Sequence, residues 1–317
     1  MKKFLISIDT EGDNLWQWKP GTKITIDNAD YLYRFQNLCG EFGYKPTYLT
    51  NYEMATGKQF INFVHSYSEK ELEIGMHLHA WNTPPDYGFS SLNQIKGAPY
   101  LIEYPEEIMD KKIDNMTDTI SKIFGKKPVT HRSGRWAMNA TYFCLLEKHG
   151  YKYDCSVTPH INWCNCPGMS LGSKGSDYSS NSETPYFEGG ILEIPMSVRV
   201  SHNIFVNKKT PRSVARGLYR AINGQPIWLR PNGKNIQEML WLVDRIKDDD
   251  ACDYIMFMLH SSEFMPNGSP TFRTEEEIDR LYEDLRILFK YSSNFFEGLT
   301  IGEYGLLFKN KHEDEVK

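Results

Sequence analysis

Residues 2–13 read Lys2-Lys3-Phe4-Leu5-Ile6-Ser7-Ile8-Asp9-Thr10-Glu11-Gly12-Asp13, an apolar run that ends in a cluster of acids. The lysines and the run mimic the start of a signal peptide, but Asp9 stops it before an export segment reaches its usual length. The stretch instead predicts a first strand over Phe4–Asp9. The turn after that strand decides the fold. A doubly wound nucleotide-binding sheet opens with a glycine-rich turn whose amides cradle phosphate. Here the same place holds Asp9, Glu11 and Asp13, which repel phosphate, so a parallel α/β barrel is the better reading.

The rest of the chain repeats strand, then helix. Further strands are expected at Pro46–Thr50, Glu73–His79, Val129–Arg132, Tyr153–Ser156, Ile191–Pro195, Tyr254–His260 and Leu299–Ile301. Met109, Ile113, Met116, Ile120 and Ile123 recur at steps of four and three, which puts them on one helix face, as do Ile278, Leu281, Leu285 and Leu288 later on. Thr274 precedes Glu277 by the spacing of a reciprocal helix cap. Less regular helices are read at Tyr31–Glu41, Asn139–His149, Val214–Ala221 and Ile236–Ile246. Right-handed crossovers between such strands build an α/β barrel of seven or eight parallel strands. Loops at about 81–104, with Pro84, Pro85 and Pro99, and about 160–190, rich in Ser, Gly and Asn, interrupt the pattern. They read as covers over a site or as disordered segments, not as linkers, so residues 1–317 are expected to form a single domain.

A 317-residue chain that is 40% hydrophobic and 24% charged excludes a disordered or fibrous protein. Its 36 basic and 41 acidic residues leave a net charge of −5 with no run of Lys and Arg, so nucleic acid is not an expected partner. No apolar stretch reaches the length of a membrane span. Six cysteines in a chain of this length without an export signal read as reduced thiols, and a cytoplasmic location is expected. The unusual figure is 14% aromatic, because flat amphipathic rings suit carbohydrate ligands as well as cores.

Ionisable side chains gather at the strand ends, where barrels carry their chemistry. Asp9 and Glu11 close the first strand, His77 and His79 the third, and His131 and Arg132 the fourth. Asp154 lies near the start of the fifth, and His260-Ser261-Ser262-Glu263 ends the seventh. Taken singly, each has an ordinary reading: a core histidine, a helix-capping acid, a structural arginine. Together, two imidazoles and a carboxylate at neighbouring strand ends make a three-ligand site for Zn²⁺ or a similar divalent ion, with a position left open for water.

In these motifs the chain resembles the polysaccharide deacetylases of the NodB-homology type, carbohydrate esterase family 4. The likeness rests on Ser7-Ile8-Asp9-Thr10-Glu11-Gly12, Glu73-Ile74-Gly75-Met76-His77-Leu78-His79, His131-Arg132-Ser133-Gly134-Arg135-Trp136, Leu192-Glu193-Ile194-Pro195 and Leu259-His260-Ser261-Ser262-Glu263-Phe264, in the family's order. The segments His77-Leu78-His79-Ala80-Trp81-Asn82-Thr83-Pro84-Pro85 and His260-Ser261-Ser262-Glu263-Phe264-Met265-Pro266-Asn267-Gly268-Ser269-Pro270 resemble a branch tied to lipopolysaccharide and O-antigen biosynthesis. The resemblance implies a distorted (β/α) barrel and a hydrolase that removes an N- or O-acetyl group from a saccharide precursor. It assigns Asp9 as general base, Arg132 as its orienting partner, His260 as general acid, and Glu11, His77 and His79 as ligands of a divalent metal, most simply Zn²⁺. Two positions depart from the family's pattern. Thr10 stands where an adjacent second aspartate is usual, and Trp81 stands where the second metal histidine is usual.

Trp16, Trp18, Trp81 and Trp136 flank these motifs and are candidate sugar-stacking residues, with Glu263 and Asp154 as further substrate-side or supporting carboxylates. His160, Cys164 and Cys166 form a weak second metal pattern, better read as loop residues. Two other functions stay open: a carbohydrate-binding relative without turnover, and a hydrolase of a non-sugar amide C–N bond. The oligomeric state is not legible.

Overall fold

In a computed structural model, which describes residues 1–13, 15–17, 23–87, 98–205 and 210–315, the expected alternation forms one curled sheet wrapped by helices. Strands β1 (Lys2–Thr10), β2 (Pro46–Thr50), β3 (Glu73–Leu78), β4 (Thr130–Ser133), β5 (Tyr153–Asp154), β6 (Tyr186–Glu188) and β7 (Ile191–Glu193) build it from the first two thirds of the chain. An antiparallel ribbon, β8 (Val198–Ser201) and β9 (Gln225–Trp228), precedes β10 (Tyr254–His260) and β11 (Phe296–Leu299). The sheet order is β10-β1-β2-β3-β4-β5-β7-β6, with β11 also on β1, and β6 alone runs antiparallel. This is a distorted, incompletely closed (β/α) barrel. The gap between β7 and β10 is bridged without a regular ladder. Met258 N donates to Leu229 O at 3.1 Å, Met256 N to Ser197 Oγ at 2.8 Å, and Tyr254 OH to Pro195 O at 2.5 Å.

Helices α1 (Leu32–Glu41), α2 (Tyr52–Thr56), α3 (Lys58–His65), α4 (Glu106–Phe124), α5 (Ala140–Lys148), α6 (Pro211–Asn223), α7 (Ile236–Lys247), α8 (Glu275–Ser292) and α9 (Ile301–Glu315) pack outside the strands. The periodic faces behave as their spacing requires: Met109, Ile113, Met116 and Ile120 of α4 and Ile278, Leu281, Leu285 and Leu288 of α8 are buried. Thr274 caps α8 through Glu277 N, but the Glu277 carboxylate reaches Arg273 N, one residue earlier than a reciprocal cap places it. The last strand lies at Phe296–Leu299 and not at Leu299–Ile301. Thr300 and Glu303 bond each other's backbone N–H across the first turn of α9, so Ile301 opens a helix.

β1 is buried from Phe4 onward because β10 lies along one edge while β11 and β2 share the other. Parallel register then delivers the ends of different strands to one rim. Asp9 is level with His260, and His77 with Arg132. None of the described helices is long and apolar enough to cross a membrane.

Candidate metal and catalytic site

Glu11 and His79 each stand one residue past the end of a strand, where the chain turns away and alternation no longer dictates direction. Ser261 Oγ accepts from Glu11 N at 3.1 Å, and Thr83 Oγ1 donates to His79 O at 2.9 Å, so both turns are held from outside. The His79 ring packs against Gly134. A Cβ there would stand 2.9 Å from His79 Nδ1 and 2.6 Å from Leu78 O, so the position excludes a side chain.

These turns bring three side chains together. Glu11 Oε2 is 2.7 Å from His79 Nε2 and 3.6 Å from His77 Nε2, and the ligand-type atoms of the three residues lie within 4.8 Å of one another. They are the one group of this kind among the described residues. The altered spacing of both motifs therefore still produces a converged carboxylate and two imidazoles. The donor set suits a divalent cation. All three groups are buried, His77 Nδ1 is 3.1 Å from Arg132 O, and His79 Nδ1 is buried with no hydrogen-bond partner among the described residues. With Nδ1–H donated to that carbonyl, His77 would offer its Nε2 lone pair to an ion bound beside Glu11.

Asp9 sits beside this group. Its Oδ1 accepts from Arg132 Nη1 at 2.6 Å, while Oδ2 lies 4.0 Å from His77 Nε2 and 3.9 Å from His260 Nε2. Burial pushes the Asp9 carboxyl up, but Arg132, His77 and His260 outweigh it and hold the pKa below the ordinary value. Burial likewise opposes ionisation of Glu11, and hydrogen bonds to His77 and His79 overcome it, leaving that carboxyl well below the usual range. Arg132 has no exposed surface and is fixed by Cys155 O at 3.0 Å and Ser7 Oγ at 2.8 Å.

His260 presents Nε2 to the centre, 3.9 Å from Glu11 Oε1. Its other nitrogen, Nδ1, is 3.0 Å from Glu263 Oε2 and 3.2 Å from Arg230 Nη2. Glu263 itself is buried and also accepts from His260 N at 3.0 Å, so it lies behind the histidine and orients the ring.

A cavity of about 730 Å³ opens onto these groups. Trp16, Trp81 and Trp136 line it, and Trp18 lies outside the described residues. The Trp16 ring meets His260 edge-on at 4.9 Å, the Trp81 ring is 4.2 Å from His79, and the Arg132 guanidinium carbon lies 4.9 Å from the centre of the Trp136 ring. Both interrupting loops contribute: Pro99 and Tyr100 from the first, Trp163 and Cys166 to Met169 from the second. Motif reading missed Tyr100, Trp163, Arg135 and Arg230. Arg135 lies inside a quoted motif that assigns it no role; it has a left-handed backbone, φ 59°, and stands at the cavity wall. His160 pairs with Glu183 at 2.6 Å, not with Cys164 or Cys166, and all six cysteines are free thiols.

Asp154 takes no part in the cavity wall. It is fully buried, 2.5 Å from His131 Nδ1, and accepts from Ser156 N and Oγ, both at 2.9 Å; His131 in turn reaches Tyr142 OH at 2.8 Å. Its expected substrate-side role does not fit that position, because hydrogen bonds within the core occupy both oxygens. Glu193 lies against it, and burial together with the Asp154 charge pushes the Glu193 carboxyl well above the usual range, so the folded chain keeps this proton to higher pH than the unfolded one. The unfolded chain loses that proton near pH 4.5 and the folded one does not, so this residue's contribution to stability falls as pH rises above that value. Glu193→Gln is expected to remove a slope of up to about 1.4 kcal/mol per pH unit, seen as the difference between wild-type and variant urea unfolding from pH 4.5 to 8.

No family model and no curated protein matches the chain. Among solved structures, a protein from Mycobacterium smegmatis provisionally described as a polysaccharide deacetylase is similar at 14% identity and TM-score 0.51, over 98% of this chain and 92% of that one. A 4-alpha-glucanotransferase from Thermococcus litoralis is similar at 14% identity and TM-score 0.52, over 96% of this chain and 40% of that one. The two neighbours carry different chemistries, and at this identity the likeness establishes the fold alone.

Proposed function

We propose that the protein is a metal-dependent hydrolase that removes an N- or O-acetyl group from a saccharide, of the polysaccharide deacetylase type, in the assembly of a surface polysaccharide such as an O-antigen. The observation that carries this reading is the convergence of Glu11, His77 and His79 with the free oxygen of Asp9 and Nε2 of His260 on one cavity wall. The M. smegmatis neighbour has the same fold and a description of the same class.

A divalent ion such as Zn²⁺ bound by Glu11, His77 and His79 would polarise the acetyl carbonyl and acidify a water. The protein's own groups supply the rest. Asp9, kept ionised by Arg132, is a base with one oxygen fixed and the other free to take a proton from water. His260 holds Nδ1 against Glu263 and turns Nε2 inward, which suits it to protonate the departing amine or alkoxide. The tryptophans offer faces and edges to a sugar ring at the mouth.

Purified protein is expected to contain close to one divalent metal per chain and to release acetate from a panel of N- and O-acetylated saccharides. Metal-loaded protein that releases none would remove the reading. Trp81→Ala is expected to raise KM about tenfold with a smaller change in kcat, because a lost stacking surface weakens substrate and transition state alike. The Trp81 ring also packs on His79, so metal content is measured in the same samples.

A further inference from the structure

Between Glu193 and Glu238 the chain contains no acidic residue but carries Arg199, Lys208, Lys209, Arg212, Arg216, Arg220, Arg230 and Lys234. In a protein of net charge −5 this is a sharp segregation. Arg199 and Arg230 are spent on internal ion pairs with Glu183, Asp249 and Glu263. Arg212, Arg216 and Arg220 recur every four residues and so form one row along α6.

The same helix turns an apolar row to solvent. Gly217 is its one buried residue, so α6 meets the protein through its smallest side chain. Val214, Leu218 and Ile222, also four apart, are 40%, 45% and 78% exposed, and Tyr219 beside them is 69% exposed. A helix held by its small face, with a stripe of aliphatic residues and a parallel row of arginines both left outside, has the pattern of a segment that lies in the plane of a lipid surface.

We propose that α6 docks this protein on an anionic membrane surface, with Val214, Leu218 and Ile222 entering the acyl boundary and Arg212, Arg216 and Arg220 meeting lipid phosphates. Charge selects this occupant over a second copy of the chain. A second copy docked through α6 would offer the arginine row no acid to pair with, because the helix carries none. Glu238 of α7 is the acid whose carboxyl feels Arg220. The helix also has a route to the cavity. One residue, Gly224, separates it from β9, which carries Trp228 against Trp136 at 6.0 Å and, two residues further on, Arg230 into the cavity wall. Docking would then hold the cavity mouth at a fixed relation to the lipid surface.

The test is flotation of the full chain with vesicles of phosphatidylcholine containing roughly 30% phosphatidylglycerol, against phosphatidylcholine alone. Wild type is expected to float with the anionic vesicles and not with the neutral ones, and to be released by salt. Leu218→Gln with Ile222→Gln should weaken binding at least tenfold. Arg212→Gln with Arg216→Gln should weaken it roughly 25-fold, since each arginine near an anionic surface strengthens binding about fivefold. These exposed changes should leave the unfolding temperature and the release of acetate from a soluble saccharide unchanged. Failure of wild type to float, or equal flotation of wild type and both variants, overturns the proposal. So does a dimer in sedimentation equilibrium that the Leu218 and Ile222 changes dissociate, because it assigns the face to a second copy. None of these outcomes depends on the protein being a hydrolase.

Discussion

Asp9→Asn is expected to reduce acetate release by roughly a thousandfold while the protein still binds metal, because an amide cannot accept the proton that a general base must take. The three metal-type ligands, Glu11, His77 and His79, are untouched by the change. Asn keeps an oxygen that can accept from Arg132 Nη1, yet it removes the charge that compensates a guanidinium with no exposed surface. A stability loss of up to about 3–5 kcal/mol is expected from that, so the assay is run below the variant's unfolding transition. Retained metal with lost turnover separates the base from the ligands. A variant that keeps most of its activity would show that Asp9 only balances Arg132.

His77→Ala is expected to lower divalent metal affinity by roughly a hundredfold or more, because it removes one of three donors and the ring whose Nδ1 side is anchored on Arg132 O. Isothermal titration gives the affinity directly, and thermal unfolding gives an independent reading. At a free metal concentration 100 times the dissociation constant, binding stabilises the folded wild type by about 2.7 kcal/mol. For a chain of 317 residues that is an upward shift in unfolding temperature of about 4 °C. The variant should show little or no shift at the same metal concentration. Equal shifts in both proteins would place the ion elsewhere.

Much of this site was legible because barrels put strand ends on one rim, and strands buried on both faces are easy to see. Ile8-Asp9, His77-Leu78-His79 and Leu259-His260 each announce a polar group at the close of an apolar run. Residues brought in by irregular chain were not legible. β6, β8 and β9 are three or four residues long, too short for periodicity to register, and the cavity wall from Cys166 to Met169 belongs to a loop with no repeating pattern. Asp154 shows the opposite failure. A carboxylate near the start of the fifth strand reads as one of the rim residues, but its neighbours His131 and Ser156 have already claimed it. The basic segment around α6 escaped notice because its arginines are spaced four apart, so no run of adjacent charges appears until the helix lines them up.

By itself the sequence determined the class of fold and the residue types at its rim, since both follow from local pattern: apolar runs of strand length, helical spacing between them, and acids and histidines where the runs stop. Only the tertiary structure decided that the displaced Glu11 and His79 still meet His77, that Arg132 rather than solvent faces Asp9, and that Glu263 stands behind His260. Those outcomes depend on how chain segments turn after leaving a strand and on what packs against them. Contacts such as His79 on Gly134 or Glu11 against Ser261 join residues 55 and 250 positions apart, beyond the reach of any local pattern.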